Sequence, residues 1–333
     1  MKIALLLVAA CLTPAVCVAD TLPFGQASAY NLVALGTVDS SGNTVIAGTI
    51  ATNADIGGRI AAADQVLIGT TIGSGLNTDP WGAAAIYGMI STNGLAPGQI
   101  FNINGGGNVF APGSNGTINF NDGGMRVTSG SSGLEFSTLR STLQLQSATL
   151  ALLTSNGIVG APTPPGGNPS WLVLEGTSSI LNVFNITAAQ FADANHNIDI
   201  VAPAGSTIIV NVSGTNITLG AGLYYNGVQV SGDNATDLNI LFNFAEAQTL
   251  AIDAQFSASV LAPYAVLTGS GQMGGNFIAA QIGQTGEVHN VEFAGILLDP
   301  PSSPPTVPEP GTIVLMGTGA LSLAIRLRNR MIS

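Results

Sequence analysis

Apolar residues in this chain fall in short bursts rather than long runs, and the bursts restart at nearly even intervals. From Ala29 the sequence reads Tyr30-Asn-Leu-Val-Ala-Leu, Thr44-Val-Ile-Ala-Gly-Thr-Ile, Asp55-Ile-Gly-Gly-Arg-Ile-Ala and Gln65-Val-Leu-Ile-Gly-Thr-Thr-Ile, each with a Gly or Asn beside it to turn the chain. Short β-branched runs bounded by turn residues predict strands. Their recurrence about every ten residues suits a parallel β-helix, in which each rung buries its apolar row on its neighbours. An antiparallel sandwich suits the same spacing, and periodicity leaves both open.

One interval follows a different period. Phe136, Leu139, Leu143, Leu150 and Leu153 fall at helical spacing between Gly133 and Gly157. They predict one long amphipathic helix, about 134–155, packed by its leucine stripe on the β body and stopped at Asn156-Gly157. Pro164-Pro165-Gly166-Gly167 marks a linker, Gly160 to Pro169. Strand-like runs resume at Trp171, Ile180, Ile198, Thr207, Ile240, Ser259 and Asn276, and the proline-rich stretch 300–310 reads as an extended spacer. The predicted fold class is therefore mainly β: a β-helix or solenoid-like body with one packed helix, flanked by an N-terminal signal helix and a C-terminal membrane helix.

Charge narrows the functions. Both cysteines, Cys11 and Cys17, lie in the apolar leader, so the body has no disulfide and no cysteine-based site. Between Asp20 and Pro310 only Arg59, Arg126 and Arg140 oppose all eighteen acids, a net charge of 3 − 18 = −15. Such a surface repels phosphate, which sets aside nucleic acid and anionic lipid as partners. With 46% hydrophobic residues and a mean hydropathy of +0.44, the chain does not have the composition of a disordered one.

The two ends carry targeting features. Met1 to Ala19 has one lysine, an apolar run from Ile3 to Leu12 and small residues at Cys17 and Ala19, the layout of a secretory signal peptide cleaved after Ala19. Val8-Ala9-Ala10-Cys11 has the outline of a lipoprotein box, but its leader would be too short. At the other end Val307-Pro308-Glu309-Pro310 precedes an apolar segment, Gly311 to Ile325, and the basic residues Arg326, Arg328 and Arg330. The apolar segment is shorter than the roughly twenty residues of a straight span, and arginines are what hold the end of a span on the cytoplasmic side. This order of features resembles the PEP-CTERM sorting signal of Gram-negative bacteria. The resemblance implies recognition and cutting by an exosortase near the Pro-Glu-Pro motif, after transit through the inner membrane. The domain plan is 1–19 signal peptide, 20–299 β-rich domain, 300–310 spacer and motif, and 311–333 membrane helix with basic tail.

The body, from Ala29 to Asp299, resembles the choice-of-anchor A domain. The resemblance rests on Ala29-Tyr-Asn-Leu-Val-Ala-Leu-Gly36, Gly57-Gly-Arg-Ile-Ala-Ala62, Asn211-Val-Ser-Gly214, Leu241-Phe-Asn-Phe-Ala-Glu-Ala247, Ser259-Val-Leu-Ala-Pro-Tyr264 and Gly286-Glu-Val-His-Asn290. It implies a bacterial surface module displayed at the cell envelope or in extracellular matrix, with roles in adhesion and no established catalytic residues.

Candidate chemistry is sparse. His289 stands beside Glu287 and Asn290, yet a histidine in a turn motif more often satisfies local backbone than moves a proton. Asp193, His196 and Asp199 form a weak calcium candidate, since calcium takes oxygen ligands at alternating loop positions. The expected cofactor set is none, with calcium the one alternative. Asn-x-Ser/Thr occurs at Asn115, Asn185, Asn211, Asn216 and Asn234, where turn asparagines and stacked asparagine ladders are the expected use. No Gly-x-Ser-x-Gly elbow with partner residues supports a serine hydrolase. Three arginines and no lysine in the body make an anionic-sugar lyase hard to build. Thr49, Thr70 and Thr71 are too loosely in step for the threonine rows of an ice-binding solenoid. Trp81, Trp171, Tyr224 and Tyr225 could stack on neutral glycans, with core burial as their expected use. The reading is a non-enzymatic exported protein for adhesion or matrix structure, its partners an exosortase and extracellular polysaccharide, with a neutral-glycan module as the alternative.

Overall fold

The computed structural model describes residues 23–76, 86–113, 116–160, 170–192, 197–232 and 239–297. The chain divides into two units, Met1–Leu298 and Asp299–Ser333. The signal peptide, the Pro-Glu-Pro motif, the predicted membrane helix and the tail arginines all lie outside the described residues. No helix among the described residues is long and apolar enough to cross a membrane.

The body is mainly β, with two α-helices among the described residues. Its largest sheet runs in the order Arg126–Val127, Val109–Phe110, Met89–Ser91, Ile60–Ala62, Leu32–Ala34, Phe277–Ile282, Ser259–Gly269, Ile240–Asn243, Thr207–Ser213, Leu181–Thr187. Every neighbouring pair along it is parallel, which is not the pairing of an antiparallel sandwich. The strand Leu32–Ala34, first in sequence within this sheet, therefore lies in its middle. The chain steps outward from Leu32 to Val127, restarts at the far edge with Leu181, and steps back until Phe277 pairs with Leu32.

Two further stacks accompany this sheet. One links Leu95, Val66, Ile50 and Ile282 by single parallel bridges, and continues through Leu267 and Leu250 to Ile217. The other joins Thr71–Ile72, Ile100–Ile103 and Thr117–Phe120 to Phe256–Ser257, Met273–Gly274 and Val288–His289 through bridges at Ile56. Strands this short hold together because each layer covers the apolar face of the next. Leu32, Ile60, Met89, Phe242, Val260 and Phe277 point into one continuous core with Ile50, Ile56 and Ile282.

The opposite face of the large sheet is also apolar. Val33, Ala61, Ile90, Leu241, Leu261 and Ile278 form a second core with the long helix Phe136–Ala151 and the N-terminal residues Phe24 and Tyr30. Phe136, Leu139, Leu143 and Leu150 are the helix's buried apolar side chains, as their spacing predicts. The helix is shorter than the predicted 134–155, and Gly157 does not stop it. Leu152 closes the last turn by donating to Thr149 O and Leu150 O. Beyond it, Asn156 is drawn into pairing with the sheet, donating from its backbone and accepting with its Oδ1 at Val183. The second helix, Ala188–Phe191, was not expected from the pattern; Thr187 and Gln190 form a reciprocal capping box at its start.

The predicted strand runs recur as strands at Leu172–Glu175, Leu181–Thr187, Ile198–Val201, Thr207–Ser213, Ile240–Asn243, Ser259–Gly269 and Phe277–Ile282. One early run differs. Thr44–Ile46 turns back on Thr37–Val38 as an antiparallel hairpin, and only Ile50 joins the stack. Asp39 sets that hairpin by accepting from the backbone of Ser41 and Asn43.

Candidate functional site

The body carries three polar arrangements that bear on its chemistry. The first is the seam where the first layer meets the last. Asn31 Nδ2 donates to Gly275 O, His289 O and Val291 O, at 3.0, 3.3 and 3.0 Å. Asn276 Nδ2 donates to Ser28 O and Tyr30 O, and its Oδ1 accepts from Phe293 N. Gly57, Gly58 and Gly75 let the chains approach. A Cβ on Gly58 would stand 1.6 Å from Asn31 Oδ1, and one on Gly57 would stand 2.8 Å from Asn290 N. Arg59, 1% exposed, is buried here beside Tyr30 and Glu292. Burial lowers its pKa, opposed by the Tyr30 and Glu292 charges, while burial pushes the Tyr30 hydroxyl well above its ordinary range. The Ala29–Gly36, Gly57–Ala62 and Gly286–Asn290 segments quoted above thus converge on a structural join.

His289 belongs to that join. Its carbonyl accepts from Asn31, and its imidazole lies against Gly232, where an added Cβ would come within 3.1 Å of Nε2. Asn290 Nδ2 donates to Gly75 O. Glu287 points elsewhere, accepting from Gln272.

The second construction ties the helix to the sheet. Asn185, Asn211 and Asn243 stand side by side in register. Asn243 Nδ2 donates to Asn211 Oδ1 and Asn211 Nδ2 to Asn185 Oδ1, both at 2.9 Å. Each also donates to a carbonyl of the helix or the turn just past it: Asn243 to Ser147 O, Asn211 to Leu150 O, Asn185 to Leu153 O. The match is geometric. Three helical residues rise about 4.5 Å, close to the roughly 4.8 Å between strands. A shallow cavity of about 460 Å³ opens at this corner, lined by the three asparagines together with Thr187, Ser213 and Glu246. Its polar groups are engaged: Glu246 Oε1 accepts from Gly214 N, and Thr187 caps the short helix.

The expected asparagine ladder is therefore present at Asn185 and Asn211. Asn216 makes a similar side-chain bridge, accepting from Thr249. Asn115 and Asn234 lie outside the described residues.

The third construction lies on the outer side of the third stack and of the sheet containing Leu172–Glu175, Ile198–Val201, Leu223–Tyr225 and Val228–Gln229. Trp171 and Tyr224, both partly exposed, pack in a tilted pair with ring centroids 4.2 Å apart and planes 40° from parallel. Gln229 is the register partner of Tyr224. From it an amide row continues: Gln229 Nε2 donates to Gln255 Oε1 at 3.0 Å, Gln255 Nε2 to Gln272 Oε1 at 3.1 Å, and Gln272 Nε2 to Glu287 Oε2 at 3.4 Å. All four of those side chains are exposed. Core burial, the expected use of the aromatics, holds only for Tyr225, which packs on the interior and donates to Ala202 O and Pro203 O. Trp81 lies outside the described residues.

Of the calcium candidates, Asp193 and His196 lie outside the described residues. Asp199 is 2% exposed, and its Oδ1 accepts from Gly227 N, holding the turn between Leu223–Tyr225 and Val228–Gln229. No group of three or more His, Cys, Asp or Glu capable of holding a metal occurs among the described residues. Arg59, Arg126 and Arg140 are none of them exposed; Arg126 donates to Ala111 O, and Arg140 to Leu35 O and Gly36 O.

The body is thus a mainly β module of short parallel strands with one helix along its largest sheet and rows of polar side chains among its described residues. The chain belongs to the ice-binding-like adhesive domain family, whose sequence profile matches residues 23–290. A PEP-CTERM protein-sorting motif matches residues 306–329, which implies processing by an exosortase. No curated protein and no solved structure matches the chain. The pair of matches fits an exported surface protein of a Gram-negative bacterium.

Proposed function

We propose that this protein is a non-enzymatic surface adhesin or matrix component of the choice-of-anchor A kind, with its layers forming the turns of a β-helix and needing no cofactor. It would leave the cytoplasm by its signal peptide and be held in the inner membrane by Gly311 to Ile325. An exosortase would then cut it near Pro308 to Pro310, leaving the body at the envelope or in extracellular polysaccharide. The observation that carries this reading is the order of the two matches, an adhesive domain over 23–290 followed by a sorting motif over 306–329.

Ice is not the ligand we take from the family. Thr218, Ala251 and Thr268 are register partners on the second stack, and Gly283, Ala51 and Leu67 follow the paired residues Ile282, Ile50 and Val66, so no regular threonine repeat runs along these positions. The deciding experiment is intact-mass analysis of envelope and medium fractions from the native host, with and without its exosortase. A species ending near Pro310 that depends on the enzyme is the expected result. Retention of the tail to Ser333 in both strains would reduce the reading to a plain membrane-anchored protein.

A further inference from the structure

We propose that the strip formed by Trp171, Tyr224, Gln229, Gln255, Gln272 and Glu287 is a binding surface for an extended neutral glycan chain lying across the strands. The proposal deepens the adhesin reading and rests on it, naming the ligand class and the face that takes it.

Four features of the strip point to this ligand. The Trp171 and Tyr224 rings, with centroids 4.2 Å apart, planes tilted by 40° and both partly exposed, form an aromatic surface at one end. Aromatic rings in water favour the apolar C–H face of a sugar ring, which buries area without desolvating a charge. Next to them, Asn197 Oδ1, the Gln229 amide and the Tyr224 ring surround Gly222, where a Cβ would lie 3.2, 3.6 and 3.7 Å from them. Glycine at this position adds no further side chain between ring and amide.

The amide row supplies the polar half. Within the row, Gln255 and Gln272 each spend one N–H on the next residue and use the oxygen to accept from the previous one. A primary amide has a second N–H and a second lone pair. Each of these exposed glutamines thus presents one donor and one acceptor to solvent, repeated at the strand spacing of about 4.8 Å. Hydroxyls, which both donate and accept, are the complementary groups, and a polymer of sugar rings repeats them along its length.

Charge selects the neutral member of that class. Glu287 ends the row, Asp55 follows it in the next layer, and no exposed Lys or Arg occurs among the described residues. An anionic polysaccharide would meet like charge with nothing to offset it.

Processed protein purified from the native host is run in native gels containing hydroxyethyl cellulose, dextran, galactomannan or the anionic polymer alginate, with unsupplemented gels as reference. At least one neutral polymer is expected to retard the wild type, and alginate is not. Trp171→Ala and Tyr224→Ala should each weaken that retardation about tenfold or more, the loss typical of a central aromatic anchor. Gln255→Ala and Gln272→Ala should weaken it less. Thermal unfolding of each variant separates lost binding from lost folding. Trp171→Phe, which keeps a ring at the position, should retain most of the binding.

No retardation by any neutral polymer, or retardation unchanged in folded Trp171→Ala and Tyr224→Ala, overturns the proposal. So does retardation by alginate equal to that by the neutral polymers, or dissociation of a wild-type oligomer by the same variants, which would make the strip a contact between copies. The two readings fail separately. Exosortase-dependent processing and cell attachment that persist in the folded Trp171→Ala and Tyr224→Ala variants would leave the adhesin reading standing while the strip is rejected.

Discussion

Ser147 and Asn243 exchange two hydrogen bonds between the long helix and the large sheet: Ser147 Oγ donates to Asn243 Oδ1 at 2.6 Å, and Asn243 Nδ2 donates to Ser147 O at 2.9 Å. Ser147 is fully buried and Asn243 is 1% exposed, so neither can turn to water if its partner is lost. Asn243→Ala should destabilise the protein by about 1–3 kcal/mol, the usual cost of stranding buried polar groups. Ser147→Ala should cost less, because Asn243 keeps its bond to the helix carbonyl. Urea unfolding of the two single variants and the double variant should give a coupling energy of about 0.5–3 kcal/mol; additive effects would show that the two residues do not act as a pair.

Leu143 is fully buried in the second core, where the helix meets the sheet. Leu143→Ala should cost about 2–5 kcal/mol by cavity formation. Leu145, on the same helix and 50% exposed, should tolerate alanine with a change of about 0.5 kcal/mol or less. Thermal melts of the pair test whether the helix is held by this face.

Gly58 faces Asn31 at the join of first and last layers. Gly58→Ala cannot be accommodated by a small shift, since the new Cβ would overlap Asn31 Oδ1 and crowd Asn290 Oδ1 at 2.5 Å. A loss of about 1–3 kcal/mol or more is expected from the overpacking. In hydrogen exchange the loss of protection should be greatest in Leu32–Ala34 and Phe277–Ile282, the strands that meet at the join; uniform protection in the variant would contradict this.

Tyr30 gives the protein an alkaline limit. Burial raises its folded-state pKa far above the ordinary value of about 10, with Arg59 opposing the shift and Tyr87 adding to it. The neutral hydroxyl is the favoured buried form, so its contribution is fully present below about pH 10. It is lost as pH rises further, because the unfolded chain ionises while the folded one resists. Stability should be flat with respect to this group from neutral pH to about 10 and fall beyond it. Tyr30→Phe should reduce that fall, as measured by urea midpoints across the alkaline range.

Much of the body was legible in one dimension. The helix showed in the spacing of Phe136, Leu139 and Leu143, because 3.6-residue periodicity is set by backbone geometry and a single buried face. Strand runs such as Thr207 to Val212 showed as β-branched clusters for the same local reason. The Asn185 and Asn211 ladder was anticipated, although its use in fixing the helix was not. Its third member, Asn243, belongs to no Asn-x-Ser/Thr motif and carried no such signal. The helix end was misread because Asn156 is held by Val183, a contact that local propensity does not encode. The sequence offers Trp171 and Tyr224 as stacking platforms with core burial as the expected use, and only the register of Leu223–Tyr225 beside Ile198–Val201 brings their rings together.

By itself, the sequence determined the class of secondary structure, the acidic and cysteine-free body, and the sorting motif at the tail. These depend on residue type and near-neighbour spacing. The tertiary structure alone decided that Leu32 pairs with Phe277, that Leu32–Ala34 lies mid-sheet, and that one face carries an aromatic pair running into a row of amides. Such facts rest on contacts between residues up to 245 positions apart in the chain. Pairings of that kind are chosen by mutual burial after the local elements have formed, so they leave no period in the sequence from which to read them.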